Sequence, residues 1–206
     1  MESEARGGTR WRRFGLVMVP SVAATAAIGL ALAQGALAAS FSVSGQEFKV
    51  RVDYLDGRGF NQYGTIVSPS GSGSSRPVAV SAFDSATIED LCQSVVIPTP
   101  IGDVTVRITA GTDPDNPVTA ENLFIDLEQL NAQAVFSNID IGVAVGEMTR
   151  GPDPNTPDVD PNSFGQQSER AQLWDVEQVA WATSAGTFRL TDLSLSLHRG
   201  SDEECF

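Results

Sequence analysis

Apolar and polar residues alternate along most of the chain from residue 40 onward. Val, Ile, Leu, Phe and Thr recur at every second position, in runs bounded by Gly, Pro, Asn, Asp or Ser. A period of two marks half-buried strands, because successive side chains point to opposite faces of a sheet. Residues 121–134 are rich in helix formers, yet they also alternate rather than cycle at 3.6, and are read as strand. The alternation carries a repeat. Ala86-x-Ile88-x-Asp90-Leu91 recurs as Val118-x-Ala120-x-Asn122-Leu123, Ala134-x-Phe136-x-Asn138-Ile139, Ala171-x-Leu173-x-Asp175-Val176 and Phe188-x-Leu190-x-Asp192-Leu193. In each copy an Asp or Asn takes the next inward slot and the following residue is apolar instead. Alternation then resumes one register later, as in Leu193, Leu195 and Leu197.

On a straight strand that slip would turn the apolar set to the opposite face. The chain must therefore bend or bulge at each Asp or Asn, residue types that tolerate left-handed or bridge geometry. Asp90, Asn122, Asn138, Asp175 and Asp192 are thus expected to be structural corners. Val50-x-Val52-x-Tyr54-Leu55 reads as a degraded first copy, and Val104-x-Val106-x-Ile108 shares only the first half. Copies begin at 118 and 134, and again at 171 and 188. Such short, near-constant spacing predicts a single all-β domain of repeated bent strands, preferably a solenoid-like or β-roll stack. Long bent hairpins in a β-sandwich or barrel are the alternative. Residues 68–76 are Ser/Gly-rich and flexible by composition, while residues 151–161 hold four prolines and three aspartates and are unsuited to pairing in a sheet.

The pattern before residue 40 is different. Arg6, Arg10, Arg12 and Arg13 precede an uncharged run over residues 14–39, read as an N-terminal hydrophobic helix, which ends in Ala36-Leu37-Ala38-Ala39. A basic region, an apolar core and a small-x-small end form the pattern of an export signal. The run is longer than the usual core of ~7–15 residues and long enough to span a bilayer, for which ~20 suffice. Two fates follow. Cleavage after Ala38 or Ala39 suits the small residues, Pro20 and Gln34; retention would anchor the chain to the cytoplasmic membrane through residues 14–39. Either way positive charge stays inside. The expected organisation is residues 1–39 as export signal or anchor and residues 40–206 as the exported domain, secreted or on the outer side of the cytoplasmic membrane.

Composition narrows the partners. Removing residues 1–39 takes four Arg and two Glu from 13 basic and 26 acidic residues, leaving 9 against 24 and a net charge of −15. Lys49 is the only lysine. Such a surface repels phosphate backbones, which disfavours nucleic acid by its dominant binding term. Cys92 and Cys205 are the only cysteines, and an even count in an oxidising compartment predicts a disulfide between them.

Chemistry finds little support. The one histidine, His198, stands in Leu197-His198-Arg199-Gly200 at the end of the last strand, and no Gly-x-Ser-x-Gly elbow occurs. One His and two bridged Cys do not make a zinc set. Asp113, Asp115 and Asn116, and Asp153, Asp158 and Asp160, follow no calcium-loop pattern. Trp174 and Trp181 flank the fourth repeat and are expected in the core more than on a sugar or lipid surface. No catalytic, cofactor-binding or metal residues are expected, and no cofactor.

Arg12-Arg13-Phe14, the run Val17-Met18-Val19-Pro20-Ser21, and Ala33-Gln34-Gly35-Ala36-Leu37-Ala38-Ala39-Ser40-Phe41 resemble a family of exported actinobacterial proteins without an established function. So do Leu91-Cys92-Gln93-Ser94, residues 122–127, residues 185–190 and the terminal Cys205-Phe206. Members sometimes carry the automatic label cholesterol esterase. The resemblance implies export but brings no catalytic residues. The function expected is therefore a non-catalytic cell-envelope or secreted protein with a structural or binding role, a lipid being one ligand. A lipid-ester hydrolase is the alternative.

Overall fold

The computed structural model describes residues 46–68, 75–154 and 159–206. The helix, signal and anchor expected within residues 1–39 lie outside the described residues. Most of the alternating runs are strand: β1 (Phe48–Val67), β2 (Arg76–Glu89), β3 (Leu91–Thr99), β4 (Gly102–Ala110), β5 (Val118–Ser137), β6 (Asp140–Ala144), β7 (Phe164–Ser184), β8 (Thr187–Arg189) and β9 (Ser194–Arg199). They form one antiparallel sheet in the order β6-β7-β5-β2-β1-β3-β4-β9, with β8 on β5. β7 also pairs with β1, so the pairings β1–β2, β2–β5, β5–β7 and β7–β1 return to their starting strand. Partners are distant in sequence: Phe48 faces Ala180 and Val50 faces Gln178. Successive copies do lie side by side, Ala86 opposite Ala120 and Ala134 opposite Leu173, but they run antiparallel and so are not the consecutive turns of a stack that the repeat spacing suggested. Spacing along a chain is the same for a stacked turn and for a bend in a long strand, so it carries no pairing information.

The corners are where they were read. Asp90, Asn122, Asn138, Asp175 and Asp192 have φ of 51°, 48°, 52°, 50° and 52°, and among the described residues they are the non-glycine positions with positive φ. Asp90 separates β2 from β3, Asn122 bends β5, and Asp175 bends β7. Burial follows the slip: Val118 and Ala120 are inward before the corner and Leu123 after it, as are Ala171 and Leu173 before Val176. The degraded copy in β1 slips too, since Val50, Val52 and then Leu55 are buried opposite the Asp175 corner. It does so without a left-handed residue. A further corner that periodicity hid is Leu55-x-Gly57-x-Gly59-Phe60, with Gly59 at φ 56°. A Cβ on Gly59 would lie 1.9 Å from Asp84 Oδ2, so an Asp or Asn there would have to displace the Asp84 side chain.

Three bends line up into a crease. Asp90 N donates to Gly111 O and Gly111 N donates to Thr191 O, both at 2.8 Å, beside the Asp192 corner. Beyond the crease β3, β4 and β9 form a three-stranded wing. One of its faces is covered by the C-terminal residues. The Cys92–Cys205 disulfide forms as expected, with Cα atoms 5.8 Å apart. Lys49 Nζ reaches Glu204 at 2.6 Å and donates to Phe206 O at 2.9 Å. Cys205 N donates to Ser94 Oγ, and Thr105 Oγ1 to Gly200 O.

The main core gathers Leu55, Phe60, Phe83, Leu123, Ile125, Leu173 and their neighbours between the strands of the β1–β2–β5–β7 ring. A second, smaller cluster of Tyr63, Val78, Val80, Val145 and Trp181 lies on the opposite face of these strands. The segment after β6 straps that face. Buried Asn61 donates to Arg150 O and Pro152 O at 3.0 and 2.8 Å, and Gln167 Oε1 accepts from Thr149 N and Arg150 N.

Two outcomes are expected. Asn122→Val should cost about 1–2 kcal/mol, the penalty of a left-handed L-residue, whereas Asn122→Gly should melt near the wild type; parallel thermal melts read both. Reducing the disulfide releases a loop spanning 113 positions, and chain entropy puts the loss at about 4–5 kcal/mol. Denaturant unfolding with and without reductant checks it.

Candidate functional site

Two small spaces lie inside the ring. The larger, about 90 Å³, is walled by Leu55, Phe60, Phe83, Leu127, Phe136 and Leu173 among others. The smaller, about 30 Å³, sits towards the wing between Val50, Leu91, Leu123, Phe188 and Gln93. They share Leu55, Ile125, Val176 and Gln178, so one amide stands between them. No acid or base lines either space. The polar groups at the larger one are Gln62, Ser81 and Gln178. Gln62 and Ser81 are mutually satisfied: Gln62 Nε2 donates to Ser81 Oγ at 2.7 Å, and Gln62 Oε1 accepts from Gln166. Gln178 is 8% exposed, and no hydrogen bond is made by its side chain among the described residues. It points inward because the Asp175 corner shifts β7 by one register, bringing Val176 and Gln178 to the face that Leu173 occupied before the bend. Sequence reasoning missed it. Within an apolar alternation, a lone Gln in an inward slot was the available signal.

His198 lies on the wing, where its Nε2 is 2.8 Å from Ser196 Oγ. The two residues are two apart on β9 and so share a face. A Ser–His contact of this kind is the first element of nucleophilic activation. Here it comes without a carboxylate on the ring's other nitrogen among the described hydrogen bonds, and Ser196 stands in an extended strand rather than a tight turn. Ser196 was not singled out from the sequence.

The acidic stretches contribute turns. Asp113 Oδ1 accepts from Asp115 N, and Asp160 Oδ1 accepts from Asn162 N. Among the described residues no three His, Cys, Asp or Glu converge as metal ligands. Trp181 is core, donating Nε1 to Glu128 Oε2 at 2.7 Å beneath the Arg76 guanidinium. Trp174 is partly exposed and packs on Tyr54.

Electrostatics single out the opposite face. Burial pushes the Asp126 carboxyl above its ordinary range. The Tyr63 hydroxyl is pushed up to about 12, first by burial and then by the Asp126 and Asp153 charges. Asp56, by contrast, is held below the usual range by its hydrogen bonds from Arg170, at 2.7 Å to each oxygen. A carboxyl raised in the folded state favours folding when protonated, and that advantage disappears as pH rises through its folded value. Asp126→Asn should therefore raise the melting temperature at pH 7 and give little change near pH 3, and it should lower the pH at which Tyr63 ionises in an ultraviolet titration.

No curated protein and no solved structure matches the chain. A family model does, over residues 44–206, the whole described domain. The chain thus belongs to DUF6230, a family of unknown function.

Proposed function

We propose that the protein is an exported, non-catalytic cell-envelope or secreted domain with a structural or binding role. The observation that carries this reading is the interior: the space of about 90 Å³ within the ring is walled mainly by core side chains and touches no ionisable group. Ligand pockets for whole small molecules run to roughly 300–1,000 Å³, so a sterol or a sterol ester does not fit inside. Acid–base chemistry on an ester needs titratable groups in reach of the reacting atoms. The ring of pairings around the core favours the barrel alternative as the description of the scaffold over a solenoid-like stack. Export is supported by the basic start, the uncharged run over residues 14–39 and the disulfide. The resemblance to exported actinobacterial proteins points the same way.

A lipid-ester hydrolase is the second reading, and one contact favours it, the 2.8 Å approach of His198 Nε2 to Ser196 Oγ. The two separate cleanly. Protein purified from the producing cells' envelope is assayed on p-nitrophenyl esters of short and long acyl chains and on cholesteryl oleate. The proposal expects no turnover above background in wild type, Ser196→Ala or His198→Ala. Turnover lost in both variants would establish the hydrolase instead.

A further inference from the structure

The face that lines the interior continues onto the wing. Val50, a core residue, faces Gln93 across β1 and β3; Gln93 faces Ile108, and Ile108 faces Leu195. Directly opposed residues of an antiparallel sheet lie on the same side. The face that closes over the core within the ring therefore runs out along the wing, where Val95, Val106 and Leu197 form the next row. There nothing described covers it. Leu195 and Leu197 are 60% and 66% exposed, and Leu193 is 54%. On a domain of net charge −15 this is a patch without acidic groups at its centre. Contiguous exposed apolar surface of this kind marks a binding site more often than an ordinary monomer surface.

At the inner end of that surface stands Gln178, a residue more than nine-tenths buried that lines both interior spaces. An amide that faces an otherwise apolar space is best satisfied by a polar group beside it. The space it faces, about 90 Å³, is too small for an entire long-chain ligand but holds a hydroxyl or carbonyl with its first few carbons. A carboxylate or ammonium is excluded by the same surroundings, since no counter-charge lines the space and a bare charge there is far costlier than a neutral dipole.

We infer that the domain binds a neutral long-chain amphiphile. Its hydroxyl or carbonyl end enters between Leu55 and Val176 to hydrogen-bond Gln178, and its chain leaves past Phe188 and Gln93 to lie on Ile108, Leu195 and Leu197. The inference rests on the binding role proposed above and specifies its ligand.

The test uses protein from the producing cells, delipidated, with dodecan-1-ol, n-dodecane and butan-1-ol as probes in calorimetric and NMR titrations. One molecule of dodecan-1-ol should bind per chain, shifting the Gln178 side-chain amide resonances, with dodecane at least about tenfold weaker, the value of one hydrogen bond near 1.4 kcal/mol. Gln178→Leu should reduce that preference to about twofold or less. The surface variant Leu195→Ser/Leu197→Ser should weaken dodecan-1-ol by about tenfold while leaving butan-1-ol unchanged. Equal binding of alcohol and alkane by the wild type, or no saturable binding, overturns the inference and assigns the space to water. Binding lost through self-association of the exposed faces, read as a dimer in light scattering, overturns it as well. Esterase turnover with the alcohol preference intact would remove only the non-catalytic reading.

Discussion

The left-handed corner is the constraint on which this fold depends. A strand of about 20 residues buried on one face cannot follow a curved core without either exposing apolar side chains or resetting its phase. The chain resets its phase. At Asn122 and Asp175 a single residue at φ near 50° turns the backbone while the next residue takes over the inward position. The cost of that geometry for an L-residue falls on Asp and Asn, whose short side chains tolerate it best. Corners on neighbouring strands must coincide, because the partner's side chains have to change face at the same level. They do so at Asp90 and Gly111, and again where β1 slips opposite Asp175.

Once the bends are aligned, the rest of the architecture follows from what each segment has left to bury. Inside the ring, both layers supply apolar residues and the core closes. Past the crease, three strands continue with one polar and one apolar face. The polar face is secured by the chain's own end, through the disulfide and through Lys49. The lone lysine of an acidic chain thus takes a scaffold position. The apolar face has no such cover, which is why the site of interest lies where the ring gives way to the wing.

Much of this was legible in the sequence. The period of two identified every long strand, including residues 121–134, whose helix-forming composition was overridden by pattern. Five corners were readable because the phase slip leaves a fixed signature of apolar, corner, apolar. The Gly59 corner was not, since its inward neighbour Gly57 has no side chain to mark the phase; a Cβ there would lie 2.2 Å from Phe83. Pairing was not legible either. Alternation says which face a residue takes but not which strand lies beside it, and β1 takes one of its partners, β7, from the far end of the domain.

The site was least legible because it depends on that pairing. Gln178, a polar residue in an inward slot, is unremarkable until β1, β2 and β5 are placed around it. Ser196 and His198 are two positions apart in the sequence, yet their contact matters only once the strand is known to be extended there. Motif-based chemistry relies on local geometry that the sequence itself encodes, such as a turn that presents a nucleophile. The polar groups at this domain's interior space are instead assembled across strands, Gln62 from β1, Ser81 from β2 and Gln178 from β7. Its distinctive local motif is the corner, and the corner's work is mechanical: it decides which residues of each strand face the core, Gln178 among them.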